Sequence, residues 1–338
     1  MKAIVYTQYG TPDVLQLREV TKPEPKENQV LVRVQAASVN ALDYRRFEKP
    51  STLGRFMQER LLKTNNKVLG ADIAGVVEAV GASVTQFQPS DEVFGVSAGS
   101  SGGFAEYACA AENNLALKPA NLSFEAAAAV PVAAITALQG LRDKGQIQPG
   151  QKVLINGASG GVGTFAVQIA KSFGAEVTAV CSARNLDMAR SLGADHVIDY
   201  AREDFTQDGH GYDLIIAVNG YHSILDYRRA LGPRGTYVAI GGSISQILQG
   251  MLMGAVLSRI GSKKMGFMGI AKTNQEDLVF MRELVETGKV VPVIDRSYPL
   301  GAAVEAVRYL TEVHARGKVV FTVDQEHAPV PNQIGERS

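Results

Sequence analysis

The sequence predicts an α/β protein in two parts, a mainly β region followed by a doubly wound parallel sheet. Three observations predict it. Residues 1–120 carry short runs rich in β-branched and aromatic residues, punctuated by glycine and proline. From Lys152 onward strand-like runs alternate with helical spacing, the pattern of right-handed crossovers in a parallel sheet. At the start of that alternation the chain reads Lys-Val-Leu-Ile-Asn-Gly-Ala-Ser-Gly-Gly-Val-Gly from Lys152 to Gly163. An apolar strand, a glycine turn and a helix start follow one another there.

The elements follow in chain order. Residues 4–6, 30–34, 73–80, 92–96 and 104–109 read as strands, with a brief helix at 41–47. Residues 50–67 are polar and basic and read as a mobile, partly helical insertion. An alanine-rich helix is expected over 124–141, capped by Asn121 or Ser123 and kinked or split at Pro131. Strands are expected at 153–155, 177–181, 197–198, 214–217 and 237–240, with helices after Gly161, after Arg184 and over 224–231. Helices at 275–287 and 301–314, a strand at 318–323 and a charged, frayed tail from Asp324 complete the chain. The apolar stretch 244–260 is shorter than the roughly 20 residues of a membrane span, and Gln246, Gln249 and Ser258 interrupt it. It reads as a buried helix, a pocket wall or a subunit contact; Lys263 and Lys264 leave an interfacial membrane helix as an alternative.

Composition narrows the classes of function. The chain of 338 residues suits two domains, and its 34 basic residues equal its 34 acidic ones. No global field therefore favours nucleic acid or an anionic membrane. Cys109 and Cys181 lie in apolar runs and read as free thiols of a reducing, cytoplasmic compartment. The opening Met-Lys-Ala-Ile-Val-Tyr enters strand alternation directly, without the apolar core of a signal peptide.

The glycine turn points to a dinucleotide. Gly157, Gly160 and Gly163 form Gly-x-x-Gly-x-x-Gly, and Ser159, Gly160, Gly161, Val162 and Gly163 are its candidate cofactor contacts. Residues without a Cβ let the backbone approach a pyrophosphate, and unpaired N–H groups at the helix start face it. A purely structural turn is the alternative. An NAD site places a carboxylate about 20 residues beyond the glycines. Here Val180-Cys181-Ser182-Ala183-Arg184-Asn185 offers no acid before Asp187. Ser182 and Arg184 instead suit a 2′-phosphate, which favours NADP(H). Alternatively Ser182 caps the next helix and Arg184 is solvated. Gly241, just after the strand expected at 237–240, joins the cofactor-binding candidates.

Several motifs together resemble one family. They are Ser38-Val39-Asn40 with Asp43, Gly70-Ala71-Asp72-Ile73-Ala74-Gly75, Asp91-Glu92-Val93-Phe94-Gly95, the glycine turn, Gly193-Ala194-Asp195 leading to Tyr200, and His314-Ala315-Arg316-Gly317-Lys318. In this order they resemble the medium-chain dehydrogenases/reductases, in the quinone-oxidoreductase-like branch with the reticulon-interacting and chloroplast-envelope homologues. The resemblance runs from Met1 to about Val323. It implies a Rossmann-type domain at 123–265 and a discontinuous GroES-like catalytic domain at 1–122 and 266–338. It also implies a homodimer joined through the nucleotide domain, with the strand at 237–240 as the shared edge and the 244–260 stretch beside it.

The resemblance assigns roles as well. Asn40 would face the nicotinamide pocket, with Asp43 bracing its loop and Tyr44 donating a hydrogen bond to the substrate oxygen. Thr136 would lie on the nicotinamide side and Tyr200 near the adenosine phosphate. His314 and Arg316 would fold over the cofactor, with Lys318 a further candidate. Each has a plainer alternative: a turn residue at Asn40, ordinary aromatics at Tyr44 and Tyr200, a helix residue at Thr136. For His314 and Arg316 it is complementing the negative end of the preceding helix.

Zinc-dependent relatives use an early cysteine, a histidine in Gly-His-Glu and a four-cysteine lobe. Here Gly70-Ala71-Asp72 has no histidine, and residues 89–113 hold only Cys109. Zinc needs three protein ligands for catalysis or four for structure, so a metal-free enzyme is expected. Without a Lewis acid nothing lowers the pKa of an alcohol. Hydride transfer to an electrophilic small molecule, a quinone or an α,β-unsaturated carbonyl, is easier, because the protein need only orient the pair and stabilise an oxyanion. The expected function is therefore NADPH-dependent reduction of such an acceptor. The alternatives are an NADP-dependent alcohol dehydrogenase or ketone reductase, a non-catalytic NADPH-binding scaffold, and a membrane-surface protein.

Overall fold

The computed structural model describes residues 1–48, 68–207, 209, 211–220, 222–242, 244–313 and 315–323. The expected insertion at 50–67, the tail from Asp324 and His314 lie outside the described residues.

The N-terminal region is built of strands. β1 (Lys2–Tyr6) pairs antiparallel with β2 (Leu15–Glu19). β3 (Gln29–Ser38) is the long central strand, with Val30, Val32 and Val34 fully buried, and it leads into helix α1 (Ala41–Arg45). β4 (Asp72–Val80), β5 (Glu92–Val96), β6 (Tyr107–Ala111) and β7 (Leu115–Leu117) follow. The strand expected at 104–109 thus starts later, and Phe104 instead packs edge-on against Phe321 in the core. β2 escapes the sequence pattern because it buries only Leu15 and exposes its other four residues.

The alanine-rich stretch is two helices, α2 (Phe124–Ala128) and α3 (Pro131–Gln139). The Ser123 hydroxyl accepts the Ala126 N–H at 3.2 Å and caps the first. Pro131 starts the second, where its missing N–H costs nothing. A π-helical turn, Gly140–Lys144, continues it.

The second sheet follows: β8 (Lys152–Asn156), α4 (Gly161–Ser172), β9 (Glu176–Cys181), α5 (Leu186–Ser191) and β10 (His196–Asp199). Then come β11 (Tyr212–Ala217), α6 (Ile224–Ala230), β12 (Leu231–Ala239), α7 (Ile244–Leu248), α8 (Gly254–Leu257) and β13 (Lys264–Phe267). All six strands are parallel, in the order β10-β9-β8-β11-β12-β13. This is the doubly wound order in which a ligand crevice opens at the strand carboxyl ends, between the first and fourth strands. Val153, Leu154 and Ile155 of β8 are fully buried, as a strand covered on both faces requires.

Two expectations need correction here. β13 takes the sheet edge, so the strand expected at 237–240 is internal and cannot be the shared edge. Its four residues, Lys-Met-Gly-Phe, are too short and too mixed to stand out in sequence. β13 runs across the expected division between 265 and 266. The 244–260 stretch is helical as expected, α7 running on through a π-helical turn at Gln249–Met253 into α8, but it is not buried in the core, with Leu252 69% and Val256 55% exposed. No helix among the described residues is long and apolar enough to cross a membrane.

The chain then returns to its beginning through α9 (Gln275–Glu286), β14 (Ile294–Pro299), α10 (Ala303–Glu312) and β15 (Lys318–Thr322). β15 pairs parallel with β14 and antiparallel with β3, completing a seven-stranded sheet. The Val39 N–H reaches the Val319 carbonyl at 2.9 Å, which sets Lys318 beside Asn40.

Candidate active site

The crevice begins at the glycine turn. Gly157 has φ +86, and a Cβ there would meet the backbone N and O of Asn219 at 2.7 and 2.8 Å. A Cβ at Gly163 would sit 2.1 Å from the Gly157 carbonyl oxygen, so helix α4 packs directly on the turn. Gly160, at the helix N-cap, is different: its nearest neighbour would be 3.8 Å away, and the space beside it is open. The first-turn amides of α4, including those of Gly161, Val162 and Gly163, lack intrahelical acceptors by position and form a ready anion site. No acidic residue stands in that first turn. Behind it the Ser159 carbonyl accepts the Gly317 N–H at 2.9 Å. Gly241, after β12, crosses the loop after β11 closely; a Cβ there would be 2.8 Å from the Val218 oxygen.

Three residues expected around a 2′-phosphate gather at the ends of β9 and β10. Ser182 is half-buried, and its hydroxyl accepts the Asn185 amide at 3.1 Å instead of capping a helix. Arg184 is exposed, and its guanidinium donates to the Val313 carbonyl at 3.1 Å. Arg184 thus complements the carboxyl end of α10. Tyr200 is exposed, with its N–H on the Cys181 carbonyl at 3.2 Å. Arg316 is exposed too, and its backbone N–H donates to Asp295 at 2.8 Å.

The other wall is a buried polar floor. Asn40, at the end of β3, donates through Nδ2 to Asp72 Oδ2 at 2.9 Å and to the Ser38 carbonyl at 3.4 Å. Its Oδ1 accepts from Lys318 Nζ at 2.6 Å. Asp72 is fully buried and also accepts from Ser38 Oγ at 2.7 Å and Lys318 Nζ at 3.3 Å. Its second oxygen accepts the Val132 N–H at 2.9 Å, so the carboxylate anchors the start of α3, the helix that carries half-buried Thr136. Asp43 is buried beside this floor, its Oδ2 accepting the Asn40 N–H at 2.8 Å and its Oδ1 unpartnered. Burial pushes its carboxyl up to about 7, against the Asn40 N–H bond that lowers it and with the nearby Asp72 charge adding to the rise. Tyr44 packs half-buried on the β-domain core. Arg45, next along α1, donates to the Gly242 carbonyl at 3.2 Å and so spans the crevice.

Sequence reasoning located Asn40 and Lys318 but missed what joins them. Asp72 appeared only inside a motif, although a carboxylate in the run Gly-Ala-Asp-Ile-Ala-Gly already requires a buried cation or several donors. The floor does not fit zinc. Asp72 is engaged by Ser38, Asn40, Lys318 and Val132, and no group of three histidines, cysteines or acids among the described residues could hold a metal.

Residues 26–120 match the family model described as an alcohol dehydrogenase GroES-like domain, and residues 192–321 the one described as zinc-binding dehydrogenase. The chain is 38% identical over 334 residues to a 2-methylene-furan-3-one reductase of Solanum lycopersicum, spanning 95% of this chain and 79% of that protein. It is 34% identical, with the same shares covered, to a chloroplastic NADPH-dependent alkenal/one oxidoreductase of Arabidopsis thaliana. Among solved structures, the quinone oxidoreductase from Coxiella burnetii matches with a TM-score of 0.84 at 32% identity, over 96% of this chain and 99% of that one.

Proposed function

The chain belongs to the medium-chain dehydrogenases/reductases, in their quinone-oxidoreductase-like branch, and from that membership we propose an NADPH-dependent, zinc-independent reductase of quinones or activated alkenes. One observation carries the reading. The open, acid-free glycine turn and the buried Asn40 floor meet at Lys318, whose stem lies against Gly161 and whose ammonium reaches Asn40.

Bound NADPH supplies the hydride. The first-turn amides of α4 hold the pyrophosphate, and Ser182, Arg184 and Tyr200 hold the 2′-phosphate. Arg316 closes over that end. Asn40, Thr136 and Gly241 line the nicotinamide end, and Tyr44 donates a hydrogen bond to the acceptor's oxygen as charge develops there. Acceptors that are already electrophilic suit a site in which Asn40, Asp72 and Lys318 are engaged with one another.

The reading extends to organisation. The domain division is a nucleotide domain that begins at 123 and includes β13, inserted between the two parts of a catalytic domain. A homodimer is supported by the open edge of β13 and the adjacent exposed Met251, Leu252 and Val256. The free thiols Cys109 and Cys181 support a reducing compartment, the cytoplasm.

The test is NADPH consumption across quinones, enals, enones and nitro-olefins, with alcohols and simple ketones alongside. Turnover confined to the activated acceptors is expected. Preference for simple ketones would make the protein a carbonyl reductase, and tight NADPH binding without turnover would make it a scaffold.

A further inference from the structure

Lys318 is where the two walls of the crevice touch. It opens β15, in register with Ile294 of β14, and is 3% exposed. Nζ donates to Asn40 Oδ1 and to Asp72 Oδ2. A Cβ added at Gly161 would sit 2.9 Å from Lys318 Cδ, so the stem bears on the start of α4. An ammonium only donates and a carboxylate only accepts. Between these two charges the Asn40 amide has one orientation, oxygen toward Lys318 and nitrogen toward Asp72. A lysine serving a cofactor phosphate would instead present its ammonium to the open side of the turn.

We infer that Lys318 is a positioning residue for hydride transfer, holding the Asn40 amide in register with the glycine turn that seats the cofactor. The inference rests on the reading of this crevice as the active site. Removing the ammonium takes the charge-assisted bond from Asn40 Oδ1 and leaves the amide held from its Nδ2 side alone, by Asp72 and the Ser38 carbonyl. The geometry at the reacting atoms then loosens while the anion site on α4 is untouched. The consequence belongs to turnover and not to cofactor affinity.

A double-mutant cycle tests it, with kcat and NADPH affinity measured on the best acceptor for the wild type, Lys318→Met, Asn40→Ala and the double variant. Lys318→Met should lower kcat by roughly ten- to a hundredfold with NADPH affinity little changed. The double variant should turn over no more slowly than Asn40→Ala alone, because both changes remove the same arrangement. Additive losses, or a loss confined to NADPH affinity and relieved by salt, would overturn the inference while leaving the active-site reading intact. Wild-type kcat in Asn40→Ala would overturn both. Lys318→Met leaves the Asp72 charge unpaired and can unfold the chain, so the charge-free pair Asp72→Asn with Lys318→Met is measured as well. Its kcat should be low and fall little further when Asn40→Ala is added. A charge-free pair turning over like the wild type overturns the inference.

Discussion

Asp43 shows how much chemistry one residue can carry in this site. Burial raises its carboxyl to about 7, well above the value of an unfolded chain, so the folded state binds the extra proton. The associated stability is fully present below about pH 4 and is lost as pH rises through about 7. Asp43→Asn keeps an acceptor for the Asn40 N–H and removes the titration. Its melting temperature relative to the wild type should rise between pH 5 and pH 8, with a free-energy span on the order of a few kcal/mol. The same difference at both pH values would show that Asp43 does not titrate in this range. Arg184 gives a second test. A hydrogen bond between charged groups contributes about 1.5–3 kcal/mol, and exposure reduces that value. Arg184→Ala should therefore weaken NADPH binding by about tenfold and leave NADH nearly unchanged, and Ser182→Asp should reverse the preference. Fluorescence titration of both coenzymes checks this; equal NADPH affinity in Arg184→Ala and wild type would take Arg184 out of the phosphate site. Asn40, Ser182 and Arg184 could be named as candidates from sequence because Asn40 lies in a family motif and the other two follow the second strand after the glycine turn. The Asp72–Lys318 pair could not be, because its partners lie 246 positions apart and only the return of the chain joins them.

The glycine turn is the clearest case at the level of elements. Its three glycines differ: Gly157 needs a left-handed backbone, Gly163 needs the absence of a Cβ for packing, and Gly160 faces open space. Gly163→Ala forces a methyl group to 2.1 Å from a backbone oxygen and should lower the melting temperature and NADPH affinity together. Gly160→Ala should leave the melting temperature nearly unchanged. Calorimetry on both variants separates packing from cofactor approach, and equal destabilisation would contradict the assignment. Strands with continuous apolar runs, such as β8 and β11, were legible because burial on both faces writes itself into sequence. β2, β7, β13 and β14 were not. β2 faces solvent along most of its length, and β7 and β13 have three and four residues. β14 is at most half-buried throughout.

At the scale of the molecule, the C-terminal segment makes one crevice of two sheets. β15 completes the N-terminal sheet, and Gly317 bridges to Gly160 at the glycine turn. The edge of β13, unpaired among the described residues and beside the exposed Leu252 and Val256, predicts a homodimer at micromolar concentration. Light scattering should show a dimer for the wild type and a monomer for Leu252→Glu with Val256→Glu; a wild-type monomer would contradict the pairing. Chelator treatment should change neither activity nor melting temperature, since Asp72 is already paired with Lys318. The central claim is hydride delivery in this crevice, and isotopic transfer tests it most directly. An enone is reduced with NADPH carrying deuterium at the transferable C4 position, and the label is located in the product. The account predicts one deuterium on the β-carbon of the saturated carbonyl compound and none drawn from solvent at that carbon. NADPH that binds without being consumed, or a product whose β-carbon takes its hydrogen from solvent, would contradict it.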